Sequence, residues 1–272
     1  MSPSYHQIDF GPHRLHYGCF GRGPKALLAL HGFANHGGYF EELKSLGESY
    51  RVFALDLPFH GKTQWESDHF SAQELLEIIR LILAQENFQR FSLAGHSMGG
   101  RIALSLAPEL LPNLDALILL APAGLQPTPS DSPVLFPLFL RRFLAARLEP
   151  PGWILSIFAW ARRANLLNKA TYVLFRQQIE QADRRHRLFN CWISLYDFPV
   201  YKRKLRKLIQ EKELPLYLIY GQEDEITPGR YGQQFAQKLP SAQFHWVADG
   251  HFFLRAPLDQ CIREILAKQQ YF

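Results

Sequence analysis

An α/β fold, with a mostly parallel central sheet, helices on both of its faces and a helical cap insertion, is the architecture this sequence predicts. Three observations point to it. Short, almost wholly apolar runs such as Lys25–Leu30 and Leu114–Leu120 have the composition of strands buried on both faces. They alternate with helix-compatible segments, which implies right-handed crossovers between parallel strands. Between Leu125 and about Tyr201 the alternation stops, and segments of helical length follow one another directly.

The bulk properties suit such a fold. With 272 residues, 47% hydrophobic and 20% charged, the chain can bury one large α/β core and still carry an insertion. Its longest nearly unbroken apolar run, Ala116–Ala123, is far below the ~18 residues of a membrane span. The opening Met-Ser-Pro-Ser-Tyr-His-Gln has neither the basic nor the apolar region of a secretory leader, so a cytoplasmic location is expected. Cys19, Cys191 and Cys261 are odd in number and widely spaced, which argues against a disulfide framework or zinc site and makes them packing residues.

Taken in order, Tyr5–Phe10 and Arg14–Cys19 alternate as two strands around a Gly11-Pro12 turn. Lys25–Leu30 is a buried strand ending in His31-Gly32-Phe33, residues 39 to 49 suit a short helix, and Arg51–Leu55 is a strand ending in Asp56. Ser71–Gln85 opens with Ser71-x-x-Glu74 and carries apolar residues at 75, 76, 78, 79, 82 and 83, the pattern of a capped amphipathic helix. Phe91 to Gly100 is then a strand running into a helix through Gly95-His96-Ser97-Met98-Gly99. Leu114–Leu120, Leu214–Tyr220 and Gln243–Val247 are further strands, Gly229–Lys238 a helix, and Leu258–Lys268 a closing helix. Helices near 137–147, 153–164, 168–182 and 184–195 fill the insertion. The division expected is a core of residues 1–124 and 206–272 with a cap at 125–205.

Gly-x-Ser-x-Gly between a strand and a helix is the nucleophile-elbow pattern. The turn is so sharp that side chains at Gly95 and Gly99 would crowd it, and the helix beneath turns its free N–H groups and positive end towards any negative charge formed there. A serine hydroxyl needs a base, and the base needs orienting. Asp224 alone could cap a turn and His251 alone could be a loop histidine. Both, however, follow successive strands beyond the serine, where ligands bind in such sheets. Catalytic residues are therefore expected at Ser97, Asp224 and His251.

The sequence here resembles the α/β-hydrolase superfamily. The shared motifs are His31-Gly32, Asp56-x-Pro-x-His60-Gly61, Gly95-His96-Ser97-Met98-Gly99-Gly100, Gly221-x-x-Asp224-x-x-x-Pro228 and Gly250-His251. The resemblance implies an oxyanion hole made by the backbone N–H groups of Phe33 and Met98. Phe59 departs from it, standing where the family often has glycine, which bears on the turn after Asp56; Asp56 itself is expected to be structural. Nothing acidic follows Ala121-Pro122, the other place where the superfamily can put its acid. A serine at 97 disfavours the dehalogenase and epoxide-hydrolase members, which use aspartate there.

The activity expected is serine hydrolysis of a carboxylic ester or thioester with a small or medium acyl group, through an acyl-enzyme, in the manner of a carboxylesterase. Two alternatives stay open: a carbon–carbon bond hydrolase or lyase of the same fold, and a ligand-binding, receptor-like protein of low turnover. No cofactor is expected, since no glycine-rich nucleotide motif follows the early strands, and no metal, since His31 and His36 lack a ligand at metal spacing. The net charge of +5 is uneven: Arg141–Lys207 holds 15 basic and 4 acidic residues. Three readings of that excess are a solvated surface, attraction of an anionic substrate, and contact with acidic membrane surfaces through helices such as Trp153–Arg163. Nucleic acid is not expected as a partner, because no binding motif accompanies the charge. The chain is expected to act as a monomer or homodimer. Phe136, Phe139, Leu140, Trp153, Phe158, Trp160, Phe175 and Trp192 are expected mostly in the cap core, with Phe136, Trp153 and Trp192 as candidate substrate contacts.

Overall fold

A computed structural model describes residues 2–127, 137–147, 152–167, 169–254, 259 and 262–265. The chain forms two compact units, Met1–Glu66 with Ala72–Gln126 and Val200–Phe272, and Ser67–Ser71 with Pro127–Pro199.

The first unit is built on one eight-stranded sheet. Across it lie β1 (Ser4–Phe10), β2 (His13–Phe20), β4 (Tyr50–Leu55), β3 (Lys25–Leu30), β5 (Phe91–His96), β6 (Leu114–Leu120), β7 (Leu216–Gly221) and β8 (Ala242–Val247). Only the β1–β2 and β2–β4 pairs are antiparallel. The register sets Phe53, Leu28, Leu93, Leu117 and Leu216 side by side across five strands, each without solvent contact. Every such leucine contributes about 1.5–3 kcal/mol relative to an exposed one, so this row anchors the sheet. Because β3 to β8 run in one direction, their carboxyl ends share an edge, and His31, Asp56, Ser97, Ala121, Asp224 and His251 all follow those ends.

The helices of this unit follow from their apolar faces. α1 (Ala72–Gln85) buries Leu75, Leu76, Ile78, Ile79, Ile82 and Leu83, the positions that the periodicity marks. α2 (Met98–Leu110) is buried over most of its length, as a helix directly behind the central strands must be. The run 39–49 is not a single helix. It is two 3₁₀ segments, Gly37–Glu42 and Lys44–Glu48, and its buried residues Phe40, Leu43 and Leu46 stand three apart. That spacing puts all three on one side of a 3₁₀ turn, where an α-helix would spread them. Of the closing helix at 258–268, residues 259 and 262–265 are described and are helical; the rest, with Cys261, lies outside the described residues. Cys19 and Cys191 are buried thiols.

The second unit holds α3 (Leu138–Ala145), α4 (Gly152–Arg163), α5 (Lys169–Glu180) and α6 (Ala182–Ser194). Ile154, Ile179 and Phe189 form its core, with Phe158, Phe175 and Trp192 packed against them. Arg141 is fully buried there; its guanidinium donates to the Trp192 carbonyl at 2.6 Å and lies over the rings of Trp192 and Tyr196. Phe139 and Trp160 are not core residues: they are 75% and 63% exposed. Periodicity identifies two apolar faces on these helices without saying which one is buried. Ser67–Ser71 joins this unit because the Phe70 ring packs at a tilt against that of Phe198, 5.4 Å between centroids, and its N–H donates to Ser194 Oγ at 3.0 Å. At the far end the division falls between Pro199 and Val200 rather than at 205/206, since α7 (Lys202–Glu211) belongs whole to the sheet unit, as does α8 (Arg230–Ala236).

Candidate active site

Ser97 is the single residue between β5 and α2, and it has φ 51° and ψ −112°. A side chain in that region costs about 1–3 kcal/mol and persists only where its surroundings hold it. Here the Ser97 N–H donates to the Leu120 carbonyl at 2.9 Å, and the Ser97 carbonyl accepts from Ala123 and Arg101 at 2.9 and 3.1 Å. The flanking glycines have separate reasons. A Cβ on Gly95 would stand 2.5 Å from the Gly99 carbonyl oxygen, inside the turn, whereas one on Gly99 would strike the backbone of Leu30 in the neighbouring strand.

Asp224 lies in the turn after β7 and His251 in the loop after β8, and both are buried. His251 Nδ1 donates to Asp224 Oδ2 at 2.8 Å, and its Nε2 is 2.9 Å from Ser97 Oγ. With the proton fixed on Nδ1, Nε2 is free to accept the hydroxyl proton. Burial works to raise the Asp224 pKa, but the hydrogen bond and charge of His251, with the bonds from Thr227, outweigh it and hold the carboxyl below its ordinary value. Asp224 Oδ1 accepts from the N–H groups of Ile226 and Thr227, each at 2.8 Å.

The His31-Gly32-Phe33 turn comes up against the serine: a Cβ on Gly32 would stand 3.2 Å from Ser97 Cβ. Two histidines brace it. His31 Nδ1–H donates to the Gly32 carbonyl at 2.7 Å while Nε2 accepts from Leu57 N–H at 3.0 Å. His60 Nδ1–H donates to the Pro58 carbonyl, its Nε2 accepts from Ala34 N–H at 3.1 Å, and its ring meets Phe33 edge-on. The N–H groups of Phe33 and Met98 donate to no acceptor among the described residues; Met98 is the first residue of α2, where amides have no partner within the helix. Asp56 stands behind this turn, accepting from Gly37 and Lys62 N–H at 2.7 and 2.8 Å and pairing with His16. Phe59 takes φ 67°, so the position where glycine is common keeps its left-handed backbone.

A family model for the alpha/beta hydrolase fold matches residues 25–254. The chain belongs to the α/β-hydrolase family. A curated relative, the pimeloyl-[acyl-carrier protein] methyl ester esterase of Nitrosomonas europaea, is 25% identical over 84% of this chain and 88% of its own. A 2-hydroxy-6-oxononadienedioate/2-hydroxy-6-oxononatrienedioate hydrolase of Paraburkholderia phymatum is 25% identical over 85% of this chain and 82% of its own. Among solved structures, a thermophilic esterase from Thermogutta terrifontis aligns over 98% of this chain and 99% of its own, with a TM-score of 0.69 and 21% identity.

Within this α/β-hydrolase, two residues at the site were not marked by sequence reasoning as site residues. Thr227 Oγ1 stands 2.7 Å from Asp224 Oδ2, 3.1 Å from the Ala121 carbonyl and 3.1 Å from His251 Nδ1. Its sequence signal, a hydroxyl three residues after an acid, is too common to single out. Thr227→Val removes the hydroxyl at nearly constant volume. We expect kcat to fall about tenfold with KM unchanged, and Thr227→Ser to restore it; a change in KM alone would mean that the hydroxyl contacts substrate instead. His96, the residue before the nucleophile, is wholly buried; its Nε2–H donates to the His251 carbonyl at 3.0 Å, and its ring lies 5.0 Å from that of His251.

Burial pushes both His31 and His96 down to about 3. Both are therefore neutral in the folded state where an unfolded histidine would be charged. The unfolded chain takes up protons first as pH falls, so stability is complete above about 6.5 and is lost progressively from there towards 3. Urea unfolding at pH 7 and pH 5 should show the loss, and a His96→Gln variant should lose less over the same interval.

The expected substrate contacts stand differently. Phe136 lies outside the described residues. Trp192 is half-buried against Phe189 and Arg141, and Trp153 is 38% exposed with its indole N–H donating to the Arg147 carbonyl at 3.0 Å. Among the described residues, no group of three or more His, Cys, Asp or Glu side chains is placed to hold a metal ion, and no helix is long and apolar enough to cross a membrane.

Proposed function

We propose that the protein is a serine hydrolase of carboxylic esters or thioesters. The unbroken chain from Ser97 Oγ through His251 to Asp224, at 2.9 and 2.8 Å, carries this reading. Ser97 attacks the acyl carbon as His251 Nε2 takes its proton. Asp224 keeps His251 in the correct tautomer and stabilises the imidazolium. The Phe33 and Met98 amides receive the oxyanion, each worth about 3–4 kcal/mol in the transition state. His251 then returns its proton to the leaving oxygen or sulfur, and a water activated by the same nitrogen releases the acid and frees Ser97.

A small or medium acyl group is the substrate class favoured, in keeping with the esterase among its relatives. The experiment is a panel of p-nitrophenyl esters and an acyl thioester of increasing chain length, run beside fluorophosphonate labelling. Turnover together with labelling at Ser97 is the expected result. Labelling without turnover of any ester points to a binding protein, and folded protein that is not labelled removes the triad. A second reading, hydrolysis of a carbon–carbon bond by the same three residues, is favoured by the similarity to the oxo-dienedioate hydrolase; turnover of such a substrate in preference to every ester would establish it.

A further inference from the structure

The helical unit carries an apolar face that its own core does not use. On α4, Trp153, Ile157 and Trp160 follow at helical spacing, turned away from the buried Ile154, and Ile157 and Trp160 are 53% and 63% exposed. On α3, Phe139 and Phe143 are exposed four residues apart, while Arg141 of the same helix is buried. The two faces adjoin: the Trp153 indole donates to the Arg147 carbonyl, and the Arg147 guanidinium lies 3.5 Å from the centroid of the Phe143 ring. Arg142, Arg147 and Arg163 are exposed; Arg147 lies over the Phe143 ring, and Arg142 and Arg163 follow Phe139 and Trp160 by three residues on the same helices. From residue 137 to 179 the sequence has seven basic residues and one acidic, Glu149.

A contiguous cluster of exposed tryptophan, phenylalanine and isoleucine is unusual on a protein surface and marks a place where something docks. The charge selects the occupant. A second copy of the chain, meeting through the same patch about a two-fold axis, would bring arginines against arginines. An anionic surface with apolar depth answers both features at once. Tryptophan rings sit at the boundary between headgroups and acyl chains, and arginine stems lie along apolar surface while their heads meet phosphate. Helices with such a basic, aromatic face lie in the plane of the interface.

We propose that the α3–α4 face, with Phe139, Phe143, Ile157 and Trp160 as its apolar contacts and Arg142, Arg147 and Arg163 as its cationic ones, docks on an anionic phospholipid bilayer. The Ser97 chemistry takes no part in this contact, so the two readings stand or fall separately.

Sedimentation of the full chain with vesicles tests it, comparing pure phosphatidylcholine with an equal mixture of phosphatidylcholine and phosphatidylglycerol. The chain should partition into the mixed vesicles only, with a blue shift of tryptophan emission, and the partitioning should weaken as salt rises. The double variant Phe139→Ser/Trp160→Ser, with an unchanged melting temperature, should partition at least about tenfold less. Arg142→Gln/Arg163→Gln, which leaves the apolar face intact, should lose about fivefold per arginine. Partitioning into neither vesicle, equal partitioning into both, or full partitioning by the Phe139→Ser/Trp160→Ser variant overturns the proposal. A dimer in sedimentation equilibrium that this variant dissolves also overturns it, in favour of a second copy.

Discussion

Ser97→Gly should abolish turnover and at the same time make the protein more stable. The loss follows from removing the nucleophile and is expected to be on the order of 10⁴–10⁶ in kcat. The gain follows from the backbone. At φ 51° and ψ −112° a residue with a Cβ is strained, and glycine is not. Relief of about 1–3 kcal/mol, less the ~0.5–1 kcal/mol that glycine loses in chain entropy, leaves a net gain of about 1 kcal/mol. For a protein of this size that is a rise of roughly 2–4 °C in melting temperature. Ser97→Ala separates the two effects, because it removes the hydroxyl and keeps the strain: it should be as inactive as glycine and no more stable than the parent. Equal melting temperatures for the two variants would show that the turn stores no strain. An alanine variant that still hydrolyses esters would show that Ser97 is not the nucleophile.

Asp224→Asn is expected to cost about 10⁴ in kcat with little change in KM. Three donors converge on the carboxylate besides His251: the Ile226 and Thr227 amides and the Thr227 hydroxyl. An amide in its place must turn its NH₂ either towards the two N–H groups that meet Oδ1 or towards His251 Nδ1 and the Thr227 hydroxyl, which meet Oδ2. The second choice makes His251 accept at Nδ1 and carry its proton on Nε2, facing Ser97, where it can no longer act as the base. The substitution also has a pH signature. The carboxyl is held below its ordinary value of 3.8, so its stabilising contribution is complete above that pH and fades as pH falls through the lower folded value. The asparagine variant should lack that part of the acid unfolding, while the part due to His31 and His96, which begins near pH 6.5, persists. Near-parental turnover by Asp224→Asn would move the orienting role to another group.

The meeting of Ser97, Asp224 and His251 was legible because each lies in a short motif tied to the end of a strand, and the order of strands needs no three-dimensional knowledge. The buried row through Leu28, Leu93 and Leu117 was legible for a similar reason, since a continuous apolar run has few other uses. The roles of the histidines were not. Nothing local to His96 gives it a role, since its bond to the His251 carbonyl joins residues 155 positions apart. Thr227 likewise gains its meaning only when β6, β7 and the loop after β8 bring Ala121, Asp224 and His251 to one hydroxyl.

Local order was therefore decided by the sequence alone: a mostly parallel α/β sheet, a helical insertion, and Ser97, Asp224 and His251 at the carboxyl ends of its strands. Tertiary structure alone decided which apolar faces are buried and which polar groups meet. Helical periodicity is the same for the Ile154 side of α4, which is buried, and the Trp160 side, which is not. Burial depends on what packs against a face, and hydrogen bonds between distant residues depend on where the sheet carries them; neither is a property of any local stretch of chain.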